Sequence, residues 1–266
     1  MLNGAEYSDR LRGMHYGAFL AHLHATLQPA TYLEIGTEHG ATLSLAKCAS
    51  IAVDPRFVLN RDTMGKKPSC LLFQEPSDDF FRQRSPSALL GGPIDLAFLD
   101  GMHLFEFLLR DFINTEKHCR EDSVILLHDC MPPHHTMTSR QRGKREDDPP
   151  KFPGWWTGDV WKLVPVLKAQ RPDLSITTVG CEPTGMVLIS NLDPQSRVLD
   201  AAYDTLVSTT STQPTTEDEL AHYWASLDVT SASSLMSRAE LAARLWPNTV
   251  PVALTSRSNP PTIAHD

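Results

Sequence analysis

Two short stretches of the sequence end in a carboxylate that follows an apolar run. Asp100 comes directly after Ile94–Leu99, and Asp129 comes shortly after Val124–Leu127. Neighbouring strands of a parallel sheet lie about 4.8 Å apart and end at the same edge, so we expect both carboxylates to face one crevice. Two carboxylates this close repel each other, and a cation or a shared proton relieves the repulsion. Because hard oxygen ligands favour Mg²⁺, Ca²⁺ or Mn²⁺, we predict Asp100 and Asp129 as metal ligands.

Two histidines accompany these carboxylates. His103 follows shortly after Asp100, close enough to serve as a general base near neutral pH. His128 precedes Asp129 directly, and alternation along a strand predicts that its side chain points away from Asp129, in a structural role. A plainer interpretation also stays open, in which Asp100 and Gly101 form a turn and Asp100 caps the next helix. Cys130 has no second cysteine nearby, so zinc is not indicated.

A turn containing two glycines follows the first apolar run, in the order Glu34-Ile35-Gly36-Thr37-Glu38-His39-Gly40. Glycines at such a place let the backbone turn tightly and approach a ligand. The spacing differs from the G-x-G-x-x-G of dinucleotide binders, and the Glu38 carboxylate would oppose a pyrophosphate. S-adenosylmethionine has no phosphate and carries a cationic sulfonium and an amino group. The acidic turn therefore suits S-adenosylmethionine better than NAD.

A second carboxylate belongs with this turn. Asp54 ends the next apolar run, where a carboxylate can hydrogen-bond both ribose hydroxyls of a nucleoside cofactor. The alternative is that Gly36 and Gly40 serve only the turn and that Asp54 caps a helix. Because the glycines and Asp54 occur together in a strand–turn–helix context, cofactor binding is the favoured interpretation.

The elements that must position these residues alternate along the chain. Five apolar runs of strand length recur: Tyr32–Ile35, Ile51–Val53, Leu71–Phe73, Ile94–Leu99 and Val124–Leu127. Helix-compatible segments, notably Thr42–Ala49 and Phe105–Cys119, separate several of them, which is typical of βαβ units around a parallel sheet buried on both faces. Later, Leu174–Val179 and Met186–Ile189 flank a Pro/Gly connector. They predict a hairpin, so one late strand should run antiparallel.

The flanking segments complete the predicted organisation. An amphipathic helix is expected over residues 9–27. Residues 130–158 lack periodicity and contain paired prolines and two adjacent tryptophans, and loops of this length tend to be functional lids or linkers. We predict a core domain at residues 1–193. Residues 194–266 are expected to form a small helical appendage and a disordered tail.

Composition and charge restrict the classes of protein that fit. The chain has 266 residues, 41% of them hydrophobic, and a formal net charge of −8, which argues against a nucleic-acid binder. No apolar run approaches the roughly 20 residues of a membrane span. The N-terminus lacks an apolar signal core, and the five cysteines are odd in number without a CxxC pair. We therefore expect a cytoplasmic protein without a disulfide framework.

Taken together, these segments resemble class I S-adenosylmethionine-dependent methyltransferases. Within that class they are similar to the branch of sugar and small-molecule O-methyltransferases related to macrocin O-methyltransferase. The resemblance spans roughly residues 30–190, and its matching segments are Tyr32–Gly40, Val53-Asp54, Ile94–His103, Leu127–Asp129 and Gly158–Lys162. It implies a Rossmann-like, doubly wound α/β sheet of seven strands, mostly parallel with one antiparallel strand.

The resemblance also implies roles for particular residues. The acid and glycines of the turn would hold the methionine part of S-adenosylmethionine, Asp54 its ribose, and the residues after the third strand its adenine. The cofactor-binding residues predicted in this way are Glu34, Gly36, Thr37, Gly40, Asp54, Ser77, Asp78 and Asp100. In metal-dependent relatives, acids at the positions of Asp100 and Asp129 hold Mg²⁺ and orient the acceptor hydroxyl, with a base at His103. Such relatives often carry Asn or Asp where this chain has Cys130, which is a poor ligand for a metal that prefers oxygen. A His103 base that acts without a metal therefore stays open as an alternative.

The sequence thus predicts an enzyme that transfers a methyl group from S-adenosylmethionine to a small-molecule hydroxyl, of sugar or natural-product type. Asp100 and His103 are the predicted catalytic residues, assisted by Mg²⁺. The loop at 130–158 would close over the acceptor, with Trp155 and Trp156 either contacting it or anchoring the loop.

Two other functions stay open at this point. One is a nicotinamide-dependent oxidoreductase, which shares the fold and Asp54. The other is a non-catalytic, cofactor-binding scaffold protein that would interact through its helical appendage. The amphipathic N-terminal helix and the appendage also make a homodimer the expected assembly.

Overall fold

The computed structural model describes residues 4–210 and 215–247. The strands are β1 (Thr31–Ile35), β2 (Ala49–Val53), β3 (Cys70–Phe73), β4 (Ile94–Leu99), β5 (Cys119–His128), β6 (Ser175–Gly180), β7 (Met186–Ser190) and β8 (Val229–Ser231). The helices are α1 (Gly4–Leu11), α2 (Tyr16–Leu27), α3 (Ser77–Gln83), α4 (Pro86–Leu90), α5 (Phe105–Glu116), α6 (Leu163–Gln170), α7 (Val198–Thr210), α8 (Glu217–Ala225) and α9 (Arg238–Leu245).

All of these strands belong to one sheet, in the order β3-β2-β1-β4-β5-β7-β6-β8. Strands β1 to β5 pair in parallel, whereas β7 runs antiparallel to both β5 and β6. The predicted α/β sheet, mostly parallel with one reversed strand, is therefore confirmed. The predicted count of seven strands is wrong, because the described residues form eight. The additional strand, β8, has only three residues and pairs in parallel with the edge of β6, so it carries no periodic signal of its own.

Each face of the sheet is buried under a separate layer of helices. One face packs Leu33, Ile51 and Phe105 together with residues of α6, α7 and α8. The opposite face packs Tyr32 and Phe98 together with residues of α2 and α9. Because successive side chains of a strand point to opposite faces, burial on both sides explains why β1, β4 and the second half of β5 are mainly apolar.

Two predicted helices differ from the observed ones. The segment Thr42–Ala49 is not a helix: it holds a single 3₁₀ turn at Leu43–Leu45, and Ala49 already pairs with Thr31 in the sheet. Sheet pairing on both sides of β2 overrides the local helical pattern. The N-terminal helix expected over 9–27 is divided into α1 and α2. Gly13, at φ +134°, interrupts the helical backbone between them, and the His15 side chain caps the N-terminus of α2.

The segment after residue 193 packs against the rest of the chain. Tyr223 and Trp224 of α8 are buried, and their side chains donate hydrogen bonds to the carbonyl oxygens of Cys130 and Pro132, over 2.6 and 2.8 Å. Trp224 also stacks on Tyr7 of α1, with ring centroids 4.8 Å apart. In this way α8 fixes the first residues of the 130–158 loop. The division of the chain at residue 193 remains a prediction, and most of the predicted tail lies outside the described residues.

Among the helices of the described ranges, none combines the length and the apolar character that crossing a membrane requires.

Candidate active site

The carboxyl ends of β4 and β5 bring two carboxylates and two imidazoles into contact. Leu99 pairs with Leu127 in the sheet, so the residues that follow each strand lie side by side. The His103 Nε2 atom is 3.3 Å from Asp100 Oδ1 and 3.3 Å from Asp129 Oδ2. His128 Nδ1 approaches the same carboxylates, at 3.2 Å from Asp100 and 3.5 Å from Asp129. We call these four residues the carboxylate–histidine cluster.

Contacts outside the cluster fix the orientation of two of its members. The Thr184 hydroxyl donates a hydrogen bond of 2.6 Å to Asp129 Oδ1. The other ring nitrogen of His103, Nδ1, lies 3.2 Å from the carbonyl oxygen of Trp156. The side chains of Asp100 and His103 remain about one-fifth exposed, so one side of the cluster is open to a ligand.

Charges within the cluster shift the pKa values of its members. Burial lowers the pKa of His103, but the carboxylates of Asp129 and Asp100 outweigh burial and raise it to about 9. Burial likewise opposes the charge on Asp129, yet His128 and His103 hold the pKa of that carboxyl well below its usual range. Two carboxylates and two imidazolium ions balance each other, so the cluster is neutral when both histidines are protonated.

The orientation predicted for His128 is wrong. Its side chain contacts both carboxylates of the cluster instead of pointing away from Asp129. The reason lies in the backbone: Asp129 has a φ of +57°, so strand alternation stops at His128 and the next side chain turns back toward the same side. Cys130 follows Asp129, but its thiol hydrogen-bonds to backbone carbonyls. Its buried thiol contacts the carbonyl oxygens of His128 and Val160, at 3.3 and 3.7 Å.

Glu34 and Thr37 of the glycine turn are buried close to the end of β1. The Tyr32 hydroxyl donates a 2.7 Å hydrogen bond to Glu34 Oε2. Glu34 Oε1 and Thr37 Oγ1 are also buried, and within the described part of the chain neither makes a hydrogen bond of good geometry. Burial raises the pKa of Glu34 to about 7, although the nearby hydroxyl groups of Tyr32, Thr37 and Thr42 lower it in part. Unsatisfied polar atoms of this kind fit a site that a polar ligand completes.

The two predicted glycines are required by the packing of the chain itself. A Cβ atom on Gly36, which has φ +87°, would lie 2.0 Å from the carbonyl oxygen of Asp100. A Cβ atom on Gly40, at φ +78°, would lie 2.5 Å from the Thr63 side chain. Gly36 therefore lets the turn press against the end of β4, next to the cluster, and Gly40 lets the loop after β2 cover the turn.

Asp54 connects that loop to the turn. Its Oδ2 accepts a hydrogen bond from the Glu38 backbone at 2.8 Å, and its Oδ1 accepts one from the Arg56 backbone at 2.7 Å. Each carboxylate oxygen has two lone pairs, so both retain the capacity to accept another hydrogen bond. Asp54 stays a predicted ribose ligand, with a structural role in addition.

Ser77 and Asp78, the predicted adenine contacts, lie in the first turn of α3. Arg110 of α5 donates two hydrogen bonds to Asp78, of 2.8 and 2.7 Å. The Ser77 hydroxyl bonds the carboxyl group of Asp111, whose pKa burial raises to about 7. Both side chains therefore already have protein partners, and their contact with adenine remains a prediction.

The two adjacent tryptophans of the 130–158 loop have different environments. Trp156 stacks on His103, with ring centroids 5.0 Å apart, and its indole N–H donates to the Ser139 carbonyl. Trp155 is 38% exposed and packs against Phe152. Trp156 thus covers the cluster and anchors the loop at once, while Trp155 is the tryptophan that remains available to a ligand.

Arg140 holds this loop against α5. Its guanidinium group forms ion pairs of 2.6 Å with both Glu106 and Asp159. The Asp159 carboxylate in turn accepts a 2.8 Å hydrogen bond from the backbone N–H of Phe105, at the start of α5. An open cavity of about 420 Å³ lies among the loop residues, and its lining includes Arg140 but no member of the cluster.

Sequence reasoning missed Tyr16 and Thr184 as neighbours of the cluster. The Tyr16 ring lies 4.2 Å from the His128 ring, and burial together with Asp100 and Asp129 raises the pKa of its hydroxyl to about 12. Both residues are distant from the cluster in sequence, and neither belongs to a recognisable motif. Backbone hydrogen bonds between Glu182 and both Met14 and Tyr16 hold the start of α2 at this edge of the sheet.

Comparison with family models gives a match in the first half of the chain. A family model described as a methyltransferase domain matches residues 13–130. This range contains β1 to β5, the glycine turn and all four members of the carboxylate–histidine cluster. This match confirms the predicted methyltransferase class. No curated protein matches the sequence significantly.

Solved structures give a more distant likeness. An O-methyltransferase from Bacillus cereus in complex with SAH is 16% identical, with a TM-score of 0.48, over 65% of this chain and 79% of that one. A SAH-bound methyltransferase from Podospora anserina is 14% identical, with a TM-score of 0.49, over 70% and 81%. The SAM-bound O-methyltransferase TomG from Streptomyces achromogenes is 16% identical, with a TM-score of 0.46, over 70% and 88%. At such scores this likeness assigns no site residue to the chain.

Proposed function

We propose that this protein transfers the methyl group of S-adenosylmethionine to a hydroxyl oxygen of a small molecule. The observation that carries the proposal is the adjacency of the glycine turn and the cluster. Gly36 lies directly against the backbone of Asp100, so a ligand at the turn would have its reactive end beside Asp100, His103 and Asp129. Together with the match to a methyltransferase domain, this arrangement favours methyl transfer at the edge of β1, β4 and β5.

The residues of the turn fit S-adenosylmethionine in charge and in hydrogen-bonding capacity. The cofactor has an ammonium group that donates hydrogen bonds, and Glu34 Oε1 is a buried acceptor that makes no hydrogen bond of good geometry among the described residues. Thr37 adds a second unsatisfied oxygen. Asp54 retains lone pairs for the ribose hydroxyls. A pyrophosphate would instead meet the carboxylates of Glu34, Glu38 and Asp54, so charge disfavours NAD.

The reaction requires the protein to align the acceptor oxygen with the methyl group and to remove one proton from the acceptor hydroxyl. In the transfer, the acceptor oxygen forms a bond to the methyl carbon while the bond from that carbon to sulfur breaks. The sulfonium becomes a neutral thioether, and the hydroxyl proton leaves to a base. The protein lowers the barrier mainly by holding the oxygen in line with the methyl group and by stabilising negative charge on it.

Asp100 and Asp129 fit a divalent cation, since two carboxylates converge at a partly open edge. Bound there, the cation would lower the pKa of the acceptor hydroxyl and orient it. His103 has only its Nε2 atom directed into the cluster, so it would serve either as the base or as a further ligand. Cys130, whose thiol bonds backbone carbonyls, takes no part in the site.

The acceptor would bind on the exposed side of the cluster, under the loop that Arg140 holds closed. Trp155 is the side chain of that loop that can offer an aromatic surface to a sugar or an aromatic ring. The net charge of −8 supports a small molecule over a nucleic acid as acceptor. A homodimer and a cytoplasmic location remain predictions from the sequence.

Titration with S-adenosylhomocysteine tests the cofactor proposal. We expect the wild-type protein to bind S-adenosylhomocysteine, and Asp54→Asn to bind it at least about tenfold more weakly, because one carboxylate hydrogen bond is worth 1.5–3 kcal/mol. Asp79→Asn is the matched control, since Asp79 pairs with Arg82 on the surface of α3. Thermal stabilisation by NADH but not by S-adenosylhomocysteine would contradict the proposal.

Turnover tests the reaction itself. The protein is incubated with methyl-labelled S-adenosylmethionine and pooled sugars, phenols and other hydroxyl compounds, and label in the extracted acceptors is measured. We expect label on oxygen in at least one pool. Cofactor binding without label in any pool would indicate a non-catalytic scaffold instead.

A further inference from the structure

The hydrogen bond between His103 and Trp156 decides which nitrogen of His103 carries a proton. A carbonyl oxygen can only accept, so the His103 Nδ1 atom, 3.2 Å from the Trp156 carbonyl oxygen, must be the donor. In the neutral imidazole, the lone pair then belongs to Nε2. That lone pair faces Asp100 Oδ1 and Asp129 Oδ2, both at 3.3 Å.

Three atoms with lone pairs cannot face one another at this distance without a positive charge between them. His128 Nδ1 contacts the same two carboxylates at 3.2 and 3.5 Å and balances one of their charges when it is protonated. The remaining charge is balanced either by a second proton on His103 Nε2 or by a cation that takes the place of that proton. The surroundings of the cluster match a cation site, because two of the three groups, Asp129 and His103, have their other polar atom held by a fixed partner. Thr184 donates to Asp129 Oδ1 at 2.6 Å, and the Trp156 carbonyl holds Nδ1 of His103. Metal-binding histidines and carboxylates are typically oriented in this way.

The spacing agrees with ligands of a single ion. With metal–ligand bonds of about 2.1 Å, neighbouring ligands are about 3.0 Å apart in an octahedron and about 3.4 Å apart in a tetrahedron. The two separations of 3.3 Å at His103 Nε2 lie in this interval. One ligand atom from each of Asp100, His103 and Asp129 lies within 4.8 Å of the others.

We propose that His103 Nε2, Asp100 and Asp129 together bind a divalent transition metal, with His103 as a ligand and not as the base. An imidazole nitrogen favours Mn²⁺, Fe²⁺, Co²⁺ or Zn²⁺ over Mg²⁺, which binds oxygen almost exclusively. The exposed side of the cluster leaves coordination positions for the acceptor hydroxyl. A cation bound there would lower the pKa of that hydroxyl, and the hydroxyl proton would leave to solvent water on the same exposed side. The proposal rests on the proposed methyl transfer for the role of the metal. The geometry of the metal site does not depend on that function.

Metal binding by the purified, chelator-treated protein provides the test. We expect Co²⁺ and Mn²⁺ to bind at least about tenfold more tightly than Mg²⁺ in calorimetric titrations. His103→Asn should weaken Co²⁺ binding at least about tenfold and change the visible absorption of the Co²⁺ complex, because a nitrogen ligand is lost. His222→Asn is the control, since His222 lies exposed on α8 and bonds only the Asp218 carbonyl. Equal Co²⁺ affinity in wild type and His103→Asn would overturn the proposal, as would a preference for Mg²⁺.

A measurement on the unmodified protein guards against misfolding of the variant. Pulsed electron paramagnetic resonance of the Mn²⁺ complex should detect modulation from a directly bound histidine nitrogen, and its absence would overturn the proposal. Binding of S-adenosylhomocysteine is measured in parallel on every variant. If the metal results hold and S-adenosylhomocysteine does not bind, the proposed function fails while the metal site stands; the reverse pattern refutes only the metal site.

Discussion

Thr184→Val removes a single hydrogen-bond donor from the edge of the carboxylate–histidine cluster. The Thr184 side chain is buried, and its hydroxyl donates to the buried carboxylate Asp129 over 2.6 Å. Valine has nearly the same shape, so the substitution opens no cavity. A hydrogen bond to a charged group contributes about 1.5–3 kcal/mol, whereas a bond between neutral groups contributes about 0.5–1.5 kcal/mol. We therefore expect Thr184→Val to lower the free energy of unfolding by about 2 kcal/mol.

Thr138→Val is the matched control for this substitution. Thr138 is equally buried, at 2% exposure, and its hydroxyl also donates over 2.6 Å, but the acceptor is the neutral carbonyl oxygen of His135. The two variants thus differ mainly in the charge of the acceptor. Urea unfolding of the metal-free protein, with an unchanged dependence on urea concentration, measures both losses.

The comparison has a clear refuting result. If Thr184→Val costs no more than Thr138→Val, then Asp129 does not depend on Thr184 as a charged acceptor, and the orientation argument for the cluster fails. Because Thr184 fixes one oxygen of a proposed ligand, we also expect Thr184→Val to weaken Co²⁺ binding about tenfold or more. Thr138→Val should leave Co²⁺ binding unchanged.

Three further predictions concern pH, the glycine turn and the loop. The pKa of His103 is raised to about 9, so in the metal-free protein its stabilising ion pairs are fully present below its unfolded pKa near 6.5 and are lost as the pH rises through 9. His103→Asn should therefore lower the free energy of unfolding at pH 6 and change it little at pH 10, as measured by urea unfolding. An equal loss at both pH values would contradict this prediction. Gly36→Ala should destabilise the protein by at least about 2 kcal/mol, since its Cβ would overlap a carbonyl oxygen at φ +87°, while Gly65→Ala, with φ +49° and nothing within 4 Å, should cost clearly less. Arg140→Gln removes two ion pairs of the 130–158 loop and should speed limited proteolysis within that loop. The control Arg82→Gln, on the surface of α3, should not change the rate. Equal cleavage rates in Arg140→Gln and the wild-type protein would show that Arg140 does not hold the loop.

The local sequence determined much of the sheet. The apolar run Ile94–Leu99 is β4 without a change of boundary, and Met186–Ile189 differs from β7 by one residue. These runs are recognisable because strands buried on both faces are apolar at most positions. The reversed strand was also predictable, since a Pro/Gly connector shorter than a helix permits only a hairpin. By contrast, β8 and the non-helical Thr42–Ala49 segment depend on pairing with distant strands.

The candidate active site was also predictable only in part from the local sequence. The residue types at the ends of β4 and β5 indicated that Asp100 and Asp129 converge, because parallel strands end at a common edge. The sequence could not indicate that His128 joins them, since this depends on the positive φ of Asp129. Nor could it indicate that the Trp156 carbonyl sets the tautomer of His103, because the two residues meet only through the folded loop.

The sequence alone therefore determined which chemical groups reach this edge of the sheet, through periodicity and the order of strands. The tertiary structure decided how these groups face one another: which oxygen of Asp129 is held by Thr184, and which nitrogen of His103 is left for a ligand. The physical reason is that periodicity reports burial, which is a property of neighbours along the chain. Hydrogen-bond direction depends on angles and distances between segments that only folding brings together.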